Sequence, residues 1–182
     1  MRRVAAFAAA LSWAAAFGCR RGPPSPAAGT PPRLAALEEV LRAKDDNNPR
    51  LDRDFDGLTA EEKRLFRERY RALSPESRNE RGTVVYLLGR NLSVPEDLDF
   101  LREVASEAPC LSLADCSRAS SGSESSDEVT LAYPSLVALR QARLVLEAPP
   151  SGALAEAARQ VIAAGRTSRA PVVARMAARI EP

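Results

Sequence analysis

Beyond residue 33, apolar side chains recur along almost the whole chain with the 3.6-residue period of a helix. Leu34, Leu37, Val40 and Leu41 fall at i, i+3, i+6 and i+7, predicting a helix over about 33–44 that ends at Asp45-Asp46-Asn47-Asn48-Pro49. Thr59, with Glu62 three residues on, spells a capping box. Phe66, Tyr70 and Leu73 then share one face of a helix to about 73, whose other face is rich in Arg and Glu and reads as solvated. Ser74-Pro75 reads as another helix start, serine as cap and proline in the first turn. Thr83-Val84-Val85-Tyr86-Leu87-Leu88-Gly89 is apolar all round and therefore central to the core. Strand is the alternative there on propensity. Helix is favoured by the lead-in Asn79-Glu80-Arg81, by Gly89 near the C-terminal end and by helical neighbours on both sides.

Pro95 opens the next helix, striped by Leu98, Leu101, Val104 and Ala105 and stopped before Pro109. Residues 117–128 are polar and of low complexity, an exposed loop. Three more helices follow: about 133–147 with Leu136, Val137, Leu139 and Leu144; 152–164 with Leu154, Ala158, Val161 and Ile162, closed by Gly165; and a last one capped by Ser168 and carrying Val172, Val173, Met176 and Ile180. The expected fold class is all-α, built of antiparallel helical hairpins. The stripe Leu98, Leu101, Val104 returns in looser spacing at Leu154, Ala157 and Val161. The stretch 79–109, Val-Val-Tyr-Leu-Leu-Gly-Arg leading through Ser-Val-Pro-Glu-Asp to Leu-Asp-Phe-Leu-Arg-Glu-Val, resembles a HEAT-type repeat, with 133–164 as a degenerate second copy and 168–180 as a cap. That resemblance implies a short α-solenoid fragment used for binding and not for catalysis. An irregular helical bundle accounts for the same pattern.

The first 33 residues follow a different rule. Arg2 and Arg3 precede an apolar run from Val4 to Gly18 broken only by Ser12, the anatomy of an export signal. The run falls short of the roughly 20 apolar residues that span a bilayer. Its end, Ala16-Phe17-Gly18-Cys19, resembles the lipobox of bacterial lipoproteins. The resemblance implies removal of 1–18 and acylation of Cys19, palmitate included, which anchors the protein to a membrane of the cell envelope. Cleavage after Ala14-Ala15-Ala16 is the alternative and yields a soluble secreted or periplasmic protein. Residues 20–33, rich in Pro and Gly, form an extended tether. The expected organisation is a signal peptide at 1–18, a tether at 19–33 and a helical domain at 34–182 with a disulfide-clipped, Ser-rich loop at 109–130.

Composition then removes chemistries. The 182 residues include no histidine, so the usual neutral-pH base, the Ser-His and Cys-His pairs and imidazole zinc sites are all missing. Loss of Arg2 and Arg3 with the signal takes the 26 basic side chains to 24 against 24 acidic ones, leaving no overall field to attract nucleic acid. With Cys19 assigned to lipid, Cys110 and Cys116 remain as an even pair in an exported chain and are expected to bridge as a structural clip. Their spacing is not that of a redox Cys-x-x-Cys.

Asp52-Arg53-Asp54-Phe55-Asp56-Gly57 resembles the first half of an EF-hand calcium loop, with Lys63 standing where the closing glutamate belongs. Asp45-Asp46 and Asp97-Asp99 read as solvated helix ends. Arg64, Arg67, Arg69 and Arg71 are interleaved with Glu61, Glu62 and Glu68 for pairing within one helix. Arg169, Arg175 and Arg179 are less balanced and offer a weak contact for anionic lipid or polysaccharide. The expected function is a lipid-anchored envelope interaction or structural module that is not an enzyme, needs no cofactor and meets an envelope protein or glycan. The alternative is a calcium-stabilised exported binding protein using Asp52, Asp54 and Asp56.

Overall fold

The computed structural model describes residues 29–119, 127–148 and 152–181. The signal, Cys19, the tether up to residue 28 and the centre of the Ser-rich loop lie outside the described residues. Among those described, all regular structure is helical: α1 (Pro32–Ala43), α2 (Arg50–Arg53), α3 (Ala60–Ala72), α4 (Arg78–Arg90), α5 (Asp97–Ala105), α6 (Glu128–Leu131), α7 (Tyr133–Glu147), α8 (Gly152–Arg166) and α9 (Pro171–Ala178). The fold class is all-α, and the 83–89 run is helix, as favoured. No helix among the described residues is long and apolar enough to cross a membrane.

The all-round apolar sequence of α4 puts it in the middle: Gly82, Thr83, Val84, Val85, Leu87, Leu88 and Gly89 are all buried. Its two glycines lie seven residues apart and so face the same way. A Cβ at Gly82 would fall 2.5 Å from Cδ1 of Tyr133, and one at Gly89 would fall 2.7 Å from Cβ of Gln141. Missing side chains therefore let α4 and α7 approach closely, and because 82 meets 133 while 89 meets 141, the two helices run parallel. Each glycine costs about 1 kcal/mol of helix propensity, offset by the packing that the close approach allows. Second helices stack likewise, α5 on α8, and α9 continues against α7 and α8. Hairpin α4–α5 thus lies on hairpin α7–α8, first helix on first and second on second. On the other side α3 packs on α4, and α1 on α3. Edge-on aromatic pairs, Phe55 with Phe66 at 6.0 Å and Tyr70 with Phe100 at 5.0 Å, fill that end of the core.

Several local expectations are corrected. Gly165 does not close α8; the helix runs to Arg166, and Gly165 sits inside it against Leu139 and Ala177, where a side chain would not fit. Ser74-Pro75 starts a turn, not a helix: the Ser74 hydroxyl accepts from the Glu76 amide and α4 begins at Arg78. Pro95 lies in the turn that precedes α5, and Ser168 lies in the link before α9, two residues ahead of its N-cap Ala170, whose N–H it accepts. The one-turn helices α2 and α6 were too short to show a period. The capping box at Thr59 and Glu62 forms as read, each side chain meeting the other's backbone N–H.

The charged residues of α3 differ most from expectation. Arg64 does pair within the helix, with Glu61 and Glu68, but Arg69 reaches Glu38 of α1 at 2.5 Å and Arg71 reaches Glu103 of α5 at 2.7 Å. Lys63 is buried and its ammonium donates to Asp97 at 2.6 Å and to Ser93 Oγ at 2.8 Å. Asp97 is therefore no solvated helix end. It also accepts from the backbone N–H groups of Ser93 and Val94, at 2.9 and 3.3 Å, and fixes the turn that leads into α5. Asp99 stays exposed and pairs with Arg102.

Candidate binding groove

The close contact of α4 and α7 leaves a groove of about 480 Å³ along their outer edge, completed by the 46–52 segment, Val129 and Met176. Its floor and walls are mostly apolar and aromatic: Leu51, Tyr86, Tyr133, Leu136 and Val137 face it. Tyr86 and Thr83 are the polar-tipped residues in the run of α4, and the Thr83 hydroxyl is spent on the Asn79 carbonyl. The Tyr86 hydroxyl donates to Asp52 at 2.7 Å, and the Arg90 guanidinium lies 5.6 Å above its ring. Burial and this bond to a carboxylate push the Tyr86 phenol up from its ordinary pKa. The Tyr133 phenol is also pushed up, by burial first and by the charge of Asp46, with Arg140 opposing. Both charges thus act on the same phenol, and among the described residues neither Asp46 nor Arg140 has an ion-pair partner.

Of the segment read as half a calcium loop, Asp52 alone borders the groove. Arg90 bridges two of the segment's carboxylates, Asp52 at 2.5 Å and Asp56 at 2.9 Å, while Asp54 turns away to Arg50 Nε at 2.8 Å. Gly57 takes a left-handed φ of 68°, which favours glycine. Arg33 of α1 donates to the carbonyls of Asp56 and Gly57, both at 2.9 Å. Asn91 closes the loop from the other side, donating to the carbonyls of Phe55 and Leu87 and accepting the Leu58 N–H. The aspartates that were candidates for calcium hold arginines instead. Lys63, at the would-be closing position, is committed to Asp97. Among the described residues no three His, Cys, Asp or Glu side chains are grouped to hold a metal ion.

A second cleft, of about 300 Å³, lies beside the cysteines. Cys110 and Cys116 are joined in a disulfide. Their loop is pinned to the start of α4: the Cys116 N–H donates to Glu76 at 3.1 Å and Arg78 donates to the Leu113 carbonyl at 2.9 Å. Within the cleft Glu107 accepts from the Tyr70 hydroxyl at 2.9 Å and from Arg81 at 2.9 and 3.0 Å, and Arg81 covers the Tyr70 ring at 4.2 Å. Burial pushes Glu107 above its ordinary pKa by more than Arg81 and Tyr70 pull it down. The three side chains engage one another, with the Arg81 Nε left buried and without a hydrogen-bond partner.

Of the residues singled out from sequence, Cys19 lies outside the described residues, Cys110 and Cys116 come together, and Asp52 and Asp56 join through Arg90 without Asp54. Arg175 pairs with Glu128 of α6 at 2.5 Å. Sequence reasoning missed Tyr86, Tyr133 and Gln141 as groove residues. The available signal was a polar side chain on an otherwise apolar face, Gln141 between Ala138 and Ala142 in α7. What the fold and groove define is an all-helical hairpin domain with a preformed, half-apolar cleft. No protein-family model matches the chain, and no curated protein or solved structure is significantly similar to it.

Proposed function

We propose that this protein is a lipid-anchored interaction module of a bacterial cell envelope, tethered through Cys19 and binding its partner in the groove between α4 and α7. The observation that carries the binding half is the groove itself, a concave site that sets an apolar and aromatic floor beside polar and charged side chains, a form that ligand sites take. Part of its wall is held in place before any ligand arrives, since Tyr86 and Arg90 both engage the Asp52 carboxylate and Arg90 also donates to the Leu51 carbonyl. Preorganisation of that kind lowers the ordering cost of binding. The stacking of hairpins, first helix on first, supports reading the domain as a short HEAT-like solenoid fragment. Charges engaged with one another, the buried Lys63 with Asp97 and the half-buried Arg81 with Glu107, support a role without catalysis. The anchor half rests on Arg2, Arg3, the apolar run and Ala16-Phe17-Gly18-Cys19.

The intact mass of membrane-extracted protein tests the anchor: it should equal residues 19–182 plus acyl chains on Cys19. Cys19→Ala should move the protein out of the membrane fraction. A mass starting at Phe17 without lipid, or unchanged partitioning of Cys19→Ala, overturns the anchor.

A further inference from the structure

The bridge between Cys110 and Cys116 spans a loop that is already closed without it. The Leu111 N–H donates to the Cys116 carbonyl at 3.1 Å, the Ser112 hydroxyl to the Asp115 carbonyl at 2.8 Å, and the Cys110 N–H to the Leu131 carbonyl of α6 at 3.3 Å. With the contacts to Glu76 and Arg78, these bonds hold the loop whether or not the sulfurs are joined. A covalent link across so short a loop also removes little chain entropy. What surrounds the sulfurs suits the open pair. Cys116 is half-buried, and both cysteines border the cleft of about 300 Å³. Arg78 Nη1 lies 3.7 Å from Cys116 Sγ, and Arg78 forms no ion pair among the described residues, although its charge reaches Glu76. The Sγ of Cys110, nearly buried, lies 3.5 Å from the Pro75 carbonyl oxygen. A carbonyl accepts from a thiol and a guanidinium stabilises a thiolate, so the two sulfurs have partners suited to different protonation states.

We propose that Cys110 and Cys116 form a reversible thiol–disulfide exchange site for a dithiol, which releases Cys110 as a thiol and Cys116 as a thiolate held by Arg78. One thiolate of the dithiol attacks the Cys116 sulfur and forms a mixed disulfide, while the Cys110 sulfur leaves with the bonding pair and takes up a proton beside Pro75. The second sulfur of the dithiol, having lost its proton to water, attacks the first, closes a cyclic disulfide and expels Cys116 as thiolate. Two electrons pass from the dithiol to the protein pair; of the two protons the dithiol loses, one ends on Cys110 and one in solvent. A leaving thiolate of lowered pKa departs faster. The other charges around the pair are already engaged: Glu76 with the Cys116 N–H and the Ser74 hydroxyl, Asp115 with Ser117 and Arg118, Glu107 with Arg81 and Tyr70. On the α6 and α7 side the cleft is lined by Leu131, Ala132, Pro134 and Ser135, which carry no charge. The loop's own hydrogen bonds keep the sulfurs adjacent after opening, ready to close again. The exchange site depends neither on the groove nor on the anchor.

The test adds dithiothreitol to purified mature protein without denaturant, quenches samples with iodoacetamide and locates the labels by peptide mass. The expected result is complete reduction faster than the protein unfolds, a reduced form that still melts cooperatively, and reclosure by oxidised dithiothreitol. In the reduced form Cys116 should alkylate before Cys110, with a midpoint below the ordinary thiol value of about 8.5. Arg78→Gln should return that midpoint to the ordinary value and slow reduction about fivefold or more, and Arg78→Lys, which keeps the charge, should restore both. The parent's own alkylation order and midpoint decide the matter even where Arg78→Gln fails to fold. Reduction only in step with unfolding in urea, alkylation of Cys110 first, a Cys116 midpoint at or above the ordinary value, or equal reduction rates in the parent and a folded Arg78→Gln overturns the exchange site and leaves the bridge a structural clip.

Discussion

Lys63 and Asp97 are 34 residues apart in sequence and 2.6 Å apart in space, and between them they lock α3 to the turn before α5. Burial raises the Asp97 pKa, but the hydrogen bond from Lys63 and the N–H groups of Ser93 and Val94 together hold it below its ordinary value of 3.8. A lowered carboxylate contributes stability above its unfolded pKa and loses it as the pH falls through the folded one. Removing one partner leaves the other charge stranded, so Asp97→Ala should lower the unfolding free energy by about 3 to 5 kcal/mol in urea titrations at neutral pH. A loss under about 1 kcal/mol would mean that the pair is solvated.

Glu107 has the opposite sign. Its pKa is raised from 4.5, so the folded state holds the proton more tightly and stability falls as pH climbs from 4.5 through the folded value. Glu107→Gln lacks that proton, and its stability relative to the parent should improve over the same window; a gap moving the other way would refute the assignment. Neither burial was legible beforehand. A lysine on an Arg- and Glu-rich helix and an aspartate at a helix start both look solvated, and only the tertiary pairing over 34 residues shows otherwise.

The helices themselves were more legible. α7 was read as 133–147 and runs Tyr133–Glu147, because a long amphipathic stripe bounded by loop residues and Pro149-Pro150 leaves little choice. Starts and stops misled where one residue type serves two purposes. Ser-Pro opens turns as readily as helices, and a glycine near a helix end looks alike whether it caps or is pressed against a neighbour, as Gly165 is against Leu139. Glycines in α4 belong to the second kind. At Gly89 an added methyl meets Cγ and Cβ of Gln141, and the Cβ moves only with α7 itself. Overpacking costs about 1 to 3 kcal/mol and exceeds the gain of about 1 kcal/mol in propensity, so Gly89→Ala should lower the melting temperature. Gly82→Ala meets the half-buried ring of Tyr133, which can swing aside, and should melt closer to the parent. Equal losses at the two positions would contradict that asymmetry.

At the scale of the molecule, the sequence showed the helical class and the hairpin order but not the groove, since the groove depends on how two hairpins sit on each other. The disulfide has a further consequence in that setting. Cys110 and Cys116 both precede the Ser-rich loop, so the bridge ties its own neighbourhood to α4 and does nothing to join what comes before 120 to what comes after 126. Everything that holds α4 and α5 to α7 and α8 is non-covalent: the interlock at Gly82 and Gly89, the Ser135 hydroxyl on the Val104 carbonyl at 2.8 Å, Arg102 on Gln160. A chain cut once between 120 and 126 should therefore elute as one particle under native conditions and separate in denaturant without any reductant. Two pieces produced apart, one ending at 119 and one beginning at 127, should find each other and rebuild the fold, which would make this domain a natural pair of complementing fragments.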